Sequence, residues 1–346
     1  MKIEQIKLKD YKVLQNFEID FKDSDGKILD TVVIAGINGS GKTTLLEVIF
    51  KGHEPSIYSE DDFTYYILDK NHFYKSTRYV SDMDETNFYD ICTKKIVYLK
   101  VNEVPKKELV IEQIKKFRDF IQDENEDLTI KETNVKMIDE INSIFDGIDL
   151  KTKFNGFSKD MNREILFLND VKDNLKFNEL STGEQQLFIR ALNLKMMNIK
   201  NSIILVDELE TSLHPNWQNH ILRVYQNIAK DGDNQLIIAT HSPQIISSTP
   251  NESLRILVKD GKDIKVKTFE NSYGAEIEEV LQDVMGTKYL RTPEIAKKIE
   301  KMWDAINTKN ITLFDTLYGE LEETLDLNDK DLVLARLEKA RVLSQK

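Results

Sequence analysis

The sequence predicts an α/β fold, a sheet flanked by helices with an antiparallel β layer ahead of it and a helical extension behind it. Three observations carry this. Apolar, β-branched segments that read as core strands, Thr31–Ala35, Ser202–Asp207 and Gln235–Thr240, are separated by segments with helical character. The first residues alternate apolar and polar in Ile3-Glu4-Gln5-Ile6-Lys7-Leu8 and again in Phe17-Glu18-Ile19-Asp20-Phe21, as half-buried strands do. From Tyr273 onward the apolar residues fall at helical spacing.

Length and composition set the outer limits. The 346 residues, 40% of them hydrophobic, suffice for a full core, so a disordered chain is excluded. The single cysteine, Cys92, excludes a disulfide framework and a cysteine-based zinc site. Neither a signal peptide nor an apolar run long enough to span a bilayer is found, which predicts a cytoplasmic protein with no membrane partner. The net charge of -12 opposes nonspecific attachment to nucleic acid or anionic lipid.

The elements follow in order. Asp23-Ser24-Asp25-Gly26 is a turn signal between the antiparallel layer and the strand Thr31–Ala35. Thr44-Leu45-Leu46-Glu47-Val48-Ile49-Phe50 reads as a helix. Residues 51–95, rich in tyrosine and acids and without a clean period, read as an irregular insertion. Ile96–Val101 reads as a core strand. A short helical insertion over 102–164 then carries apolar residues at helical spacing, first Val110, Ile114, Phe117 and Ile121, then Val135, Ile138, Ile141 and Phe145. Its basic cluster Lys115, Lys116 and Arg118 and its acidic run from Asp123 to Asp127 read as solvated helical faces. The core thus comprises 1–50, 96–101 and 165–270, and a helical extension covers 271–346.

Three constellations carry chemistry. Gly36-Ile37-Asn38-Gly39-Ser40-Gly41-Lys42-Thr43 lies between a strand and a helix, the setting a phosphate-binding loop requires. Its glycines let backbone N–H groups turn inward on a polyphosphate, and the helix starting near Thr44 points its positive dipole end at the same anion. Lys42 would reach the β- and γ-phosphates and the Thr43 hydroxyl would hold Mg²⁺. These residues predict binding of a nucleoside triphosphate. Leu180-Ser181-Thr182-Gly183-Glu184 opens a helix, where Ser181 and Gly183 offer a second anion-binding geometry; taken alone, Ser181 and Glu184 make an ordinary capping box. Finally, the apolar strand from Ser202 ends in two carboxylates. Asp207 suits a Mg²⁺ site, and Glu208 can orient and deprotonate an attacking water. His241, at the tip of the next strand, can donate a hydrogen bond to a γ-phosphate.

In this order the motifs resemble the ATP-binding-cassette (ABC) ATPases, specifically the soluble branch of RecF, SMC heads and the overcoming-lysogenization-defect nucleases. The opening Ile3–Tyr11, the signature Leu180–Gln186 in place of the family's LSGGQ, and Glu210-Thr211-Ser212-Leu213-His214-Pro215 in place of its D-loop support that branch. Thr182 departs from the consensus glycine, and no glutamine of the Q-loop type can be assigned after Val101. The resemblance implies a P-loop ATPase head, a mixed sheet flanked by helices, that hydrolyses ATP with Mg²⁺. Its nucleotide site would comprise Gly36, Asn38 to Thr44, and, from a second copy, Ser181 and Gly183. Glu208 would be the general base, Asp207 and Thr43 the Mg²⁺ contacts, His241 the γ-phosphate sensor and Ser212 the link between the two sites.

Fewer than about 140 residues separate Lys42 from Ser181, without heptads or a CxxC hook, so long-armed relatives are excluded. No acidic nuclease cluster follows His241. A short head with a helical tail resembles the PtuA-type ATPase subunits of bacterial anti-phage systems, of the Septu and retron-associated kinds. That resemblance implies a homo-oligomer, at least a dimer, gating a separately encoded effector such as an HNH nuclease, with nucleic acid reached through the complex. The alternatives are a RecF-like repair ATPase acting directly on DNA and a nucleotide-gated assembly scaffold with little hydrolysis.

Overall fold

One helix, α1 (Lys42–Lys51), is enclosed between an antiparallel sheet and a largely parallel one, and this layering sets the position of the phosphate loop. The computed structural model describes residues 1–51, 63–69, 72–77, 80–81, 95–100, 105–160, 163–211, 213–269, 272–287, 290–326 and 328–344. They divide into two compact units, Met1–Val280 and Leu281–Lys346.

In the first unit the alternating N-terminal segments form β1 (Lys2–Tyr11) and β2 (Leu14–Asp20), paired antiparallel with Ile6 opposite Ile19 and Leu8 opposite Phe17. The other edge of β1 is taken by β4 (Phe63–Asp69), followed by β5 (His72–Thr77) and β6 (Val80–Ser81). The described residues within 51–95 are therefore not simply irregular, because β4, β5 and β6 extend the N-terminal sheet. The run Phe63-Thr64-Tyr65-Tyr66-Ile67-Leu68 has strand-forming residue types without alternation, and its pairing partner β1 lies more than fifty residues away.

The second sheet has the order β14, β13, β3, β12, β11, β7. Its strands are β3 (Thr31–Ala35), β7 (Ile96–Leu99), β11 (Ile203–Asp207), β12 (Gln235–Thr240) and β13 (Leu254–Asp260), all parallel, with β14 (Asp263–Lys267) returning antiparallel to β13. The sheet is mixed, as expected for this fold. Strands β11 and β12 are buried at every position, which explains their unbroken apolar runs. Leu45, Leu46, Val48 and Ile49 of α1 are fully buried and share one core cluster with Ile3, Ile6 and Phe17 of one sheet and Val32, Leu205 and Ile237 of the other.

Two buried polar side chains tie the layers at their edges. Gln235, at the start of β12, accepts from the Ile3 amide at 2.7 Å and donates to the carbonyls of Ile3 at 2.9 Å and Leu29 at 3.0 Å. Arg255, on β13, donates to the carbonyls of Asp20 at 2.9 Å and Lys22 at 2.6 Å beside β2.

Between β7 and β11 the chain builds α2 (Lys107–Glu124) and α3 (Ile130–Ser143), then a three-stranded antiparallel sheet of β8 (Lys153–Phe157), β9 (Ile165–Leu168) and β10 (Leu175–Lys176). The 102–164 insertion thus ends in a strand, against the expectation of helices alone. In α3 the buried face is Thr133, Met137 and Ile141, while Val135 is 51% exposed, so the apolar stripe is rotated from the one the sequence suggests. Helix α4 (Thr182–Met196) presses Phe188 into this sheet, with ring centroids 4.7 Å from Phe167 and 5.0 Å from Phe145. Helices α5 (Pro215–Asp231) and α6 (Pro243–Ser247) follow β11 and β12, and a short α7 (Ile277–Glu279) closes the unit.

The second unit is a bundle of α8 (Pro293–Asn307), α9 (Ile311–Glu322) and α10 (Lys330–Ser344) around Met302, Ile306, Phe314, Leu321, Leu332 and Ala335. Arg291 clamps its entry, donating to both oxygens of Asp329 at 2.7 and 3.0 Å and to Asp331 at 2.8 Å.

Replacing the buried amide tests how the first unit is held. Gln235→Leu leaves the Ile3 N–H and two carbonyls without partners, and we expect about 3 kcal/mol of lost stability. Chemical denaturation reads this directly; an unchanged midpoint would show that the layers do not depend on Gln235.

Candidate nucleotide-binding site

The parallel strands end at the same edge of their sheet, and that edge collects the charged residues. The loop after β3 turns at Gly36, whose φ of +149° is combined with tight surroundings: a Cβ there would lie 2.6 Å from the Leu257 carbonyl oxygen and 2.7 Å from Ser40 Oγ. Gly41, at φ +91°, is closed in by Leu14, whose side chain would lie 2.9 Å from a Cβ. The β1–β2 turn therefore packs directly on the loop, a contact between distant segments that local sequence does not signal. Helix α1 starts at Lys42, leaving Asn38, Gly39 and Thr43 exposed at the loop surface with Thr44 half-buried.

Lys42 is 6% exposed, and its ammonium donates to the carbonyls of Gly36 at 2.7 Å and Ile37 at 3.2 Å. Burial pushes its pKa down, opposed by the charges of Glu208, Asp207 and Glu210. The strand tip is thus brought to the phosphate loop, as the motif order implied. Asp207 closes β11 and is 5% exposed. Burial pushes its carboxyl up, against the lowering effect of the Thr43 hydroxyl, the Tyr98 hydroxyl and Lys42, while Glu208 adds to the rise. Tyr98 donates to Asp207 Oδ2 at 3.3 Å, and Oδ1 has no hydrogen-bond partner.

Glu208 follows in a left-handed conformation, φ +49°, uncommon for a residue with a side chain. Its amide donates to the Ala239 carbonyl at 2.9 Å, continuing the β11–β12 ladder one residue past the strand, and the chain then turns away. Its carboxylate accepts from the Thr211 hydroxyl at 3.3 Å and stands 3.2 Å from His241 Nδ1. That nitrogen makes no well-aligned hydrogen bond, so the pair is in contact without being locked.

The site fits a magnesium-bound nucleoside triphosphate. Ser40 Oγ and Asp207 Oδ1 are both buried without partners, and the glycine loop leaves a cradle that side chains would fill. Among the described residues no three acidic, histidine or cysteine groups converge as a metal cage. Magnesium needs none, since it is usually held by one or two protein groups with phosphate oxygens and water.

The signature residues are placed differently. Ser181 caps α4, its hydroxyl and amide both donating to Glu184 Oε2, at 2.7 and 2.9 Å, while Thr152 donates to Glu184 Oε1 at 2.5 Å. Neither Ser181 nor Gly183 bonds to the phosphate loop among the described residues. Gly183 lies under Trp217 of α5, whose indole would be 2.5 Å from a Cβ. Ser212 falls outside the described residues; its neighbour Thr211 lends its carbonyl to Arg190 of α4 at 2.9 Å. Sequence reasoning missed Tyr98, Arg190 and Trp217, and it placed Glu210 in the D-loop-like segment without giving it a role, although it belongs to the same acidic run as Asp207 and Glu208.

Comparisons with known proteins give similarities of sequence and fold. Residues 1–77 match the family described as "AAA ATPase domain", and residues 87–247 match "AAA domain, putative AbiEii toxin, Type IV TA system". The SMC head domain of Thermotoga maritima superposes with a TM-score of 0.51 at 17% identity, covering 78% of this chain and 100% of that one. The chain has the fold of that head domain. The chain is 33% identical to the Septu protein PtuA of Bacillus thuringiensis over 34% of its length and 30% of that protein. It is 31% identical to the retron Ec83 "probable ATPase" of Escherichia coli over 25% of this chain and 18% of that protein. The chain therefore spans less than a third of the length of the curated relatives it matches. No helix among the described residues is long and apolar enough to cross a membrane.

The cradle predicts a sharp contrast between glycines. We expect Gly36→Ala to weaken binding of a fluorescent ATP analogue about 10- to 100-fold, the strain of a forced positive φ being worth about 1–3 kcal/mol. Gly26→Ala, at φ +80° with nothing within 4 Å, should leave nucleotide affinity intact. Equal affinities in both variants would remove the loop from the nucleotide site.

Proposed function

We propose that the ATPase buries ATP and Mg²⁺ between two copies of itself, hydrolyses it slowly, and uses the cycle to gate a separately encoded effector in anti-phage defence. The observation that carries the pairing is the separation of the two half-sites. Lys42, Asp207, Glu208 and His241 gather at one sheet edge, whereas Ser181 and Gly183 have their own intrachain neighbours and, among the described residues, no bond to that edge. A second copy supplies the missing half. The similarity to PtuA and to the retron ATPase supports the defence role, and a nuclease is the effector that the resemblance favours.

In this reading the loop amides and Lys42 hold the phosphates, and the helix α1 dipole adds to the same field. Thr43 and Asp207 would hold Mg²⁺, which when bound would supply positive charge to offset that of the phosphates. Glu208, turned out of the strand by its left-handed backbone, orients a water on the γ-phosphorus and takes its proton at a carboxylate oxygen as the bond to the β-phosphate oxygen breaks, leaving ADP and phosphate. His241, 3.2 Å from Glu208, stands beside that carboxylate and contacts the γ-phosphate. By the family resemblance, Ser212 would be the link between the two sites.

Two experiments test this. Glu208→Gln should bind ATP normally, lose turnover by about 10²- to 10⁴-fold, and accumulate as an ATP-bound dimer on light scattering. Turnover at the parental rate would remove Glu208 from the role of base. Ser181→Arg should abolish ATP-dependent pairing with itself while retaining nucleotide binding. Mixed with Lys42→Ala, it should recover activity, because each mixed pair contains one intact site; a mixture as inactive as its components would rule out the shared site.

A further inference from the structure

We infer that Glu210 is a positioning residue for hydrolysis, a carboxylate bracket that sets where His241 stands relative to Glu208. This rests on the reading of Glu208 as base given above. Glu210 lies three residues past the β11 tip and is 5% exposed, yet it forms no ion pair with a lysine or arginine among the described residues. Instead Oε1 accepts two hydrogen bonds from the end of the neighbouring strand, from the Thr240 hydroxyl at 2.7 Å and from the His241 amide at 2.9 Å. The same oxygen is 3.5 Å from His241 Nδ1, and Oε2 is buried without a partner.

The consequence is a fixed distance between two strand tips. His241 leaves β12 with its backbone held by Glu210, and Glu208 leaves β11 with its amide held by Ala239 of β12 at 2.9 Å. Glu208 and Glu210 are separated by one residue, Leu209, which is 1% exposed and anchors the turn from below. The imidazole and the base carboxylate therefore meet at 3.2 Å because both tips are pinned, not because they bond to each other with good geometry. Thr240 is itself held in register, its hydroxyl accepting from the Ser242 amide at 2.9 Å. On the outer side of the turn, Arg190 of α4 donates to the Thr211 carbonyl at 2.9 Å, so the bracket is attached to the helix whose first residues follow Ser181. A buried carboxylate that is engaged only by neutral donors is costly to keep, and geometry is what it returns.

The test is a variant series in the full chain, read as kcat and KM for ATP with nucleotide affinity from a fluorescent analogue. We expect Glu210→Ala to lower kcat about 10²-fold, the usual effect of misplacing a catalytic group by about 1 Å, with KM and affinity within about threefold of the parent. Glu210→Gln keeps an oxygen that accepts from Thr240 and His241, and should retain most of kcat. Glu210→Asp keeps the charge but withdraws the oxygen, and should fall toward the alanine variant. It also carries the test if Glu210→Ala does not fold. The inference is overturned if Glu210→Ala and Glu210→Asp turn over at the parental rate, or if Glu210→Asp is active and Glu210→Gln is not, which would make charge the requirement. Glu208→Gln, run alongside, separates the two ideas. If that variant hydrolyses ATP normally, the assignment of the base fails and this inference with it. If it is inactive while Glu210→Ala is normal, only the bracket fails.

Discussion

Burial of α1 on both sides is the constraint from which the rest of the site follows. A helix that starts at Lys42 and packs Leu45 and Ile49 into a core shared by two sheets has little freedom to tilt or slide. The loop before it must leave β3 and enter that helix within six residues, Gly36 to Gly41, and Gly36 and Gly41 meet neighbours that a side chain would strike. Lys42 is then carried to a place where burial pushes its pKa down and nearby anions oppose that shift. Asp207, Glu208 and Glu210 are those anions, so the core packing and the charge arrangement depend on each other.

The parallel sheet does the equivalent work for the carboxylates. Strands β11 and β12 run in register from Ile203 beside Gln235 to Asp207 beside Ala239, and both are buried throughout. Their ends are the first places where polar side chains can reach solvent, which is why the ligand-facing chemistry of such sheets collects at the carboxyl edge. Glu208 takes a left-handed backbone there. We read this local cost, of order 1–3 kcal/mol, as supported by the ladder bond to Ala239 and by the fixed turn through Thr211.

Much of this was legible in the sequence, and the reasons are physical. Phosphate loops, apolar parallel strands and carboxylates at strand ends are local patterns, so Gly36 to Thr43, Asp207, Glu208 and His241 could be read without coordinates. Contacts that depend on distant segments could not. The strand Phe63–Asp69 declares itself only by pairing with β1, and the strand Lys153–Phe157 needs β9 to be a strand at all. Leu14 against Gly41, Trp217 over Gly183 and Arg190 on Thr211 likewise join residues far apart in the chain, and no single segment carries their signal.

In the proposed pairing, the signature loop offers a way for the site to close and still reopen. In the single chain Ser181 is already satisfied, capping α4 and donating to Glu184. Burial disfavours charge on Glu184, but hydrogen bonds from Thr152 and Ser181 prevail and hold its carboxyl below the usual range, so it is anionic at neutral pH. A phosphate arriving from another copy must therefore displace an internal acceptor and tolerate a nearby negative charge. Exchanging one cap for another costs about 1 kcal/mol, which is small beside the field of a bound triphosphate and its metal, yet large enough that loss of the γ-phosphate returns Ser181 to Glu184. In the proposed pairing, the capping box is the resting state of the clamp, and ATP is what competes with it.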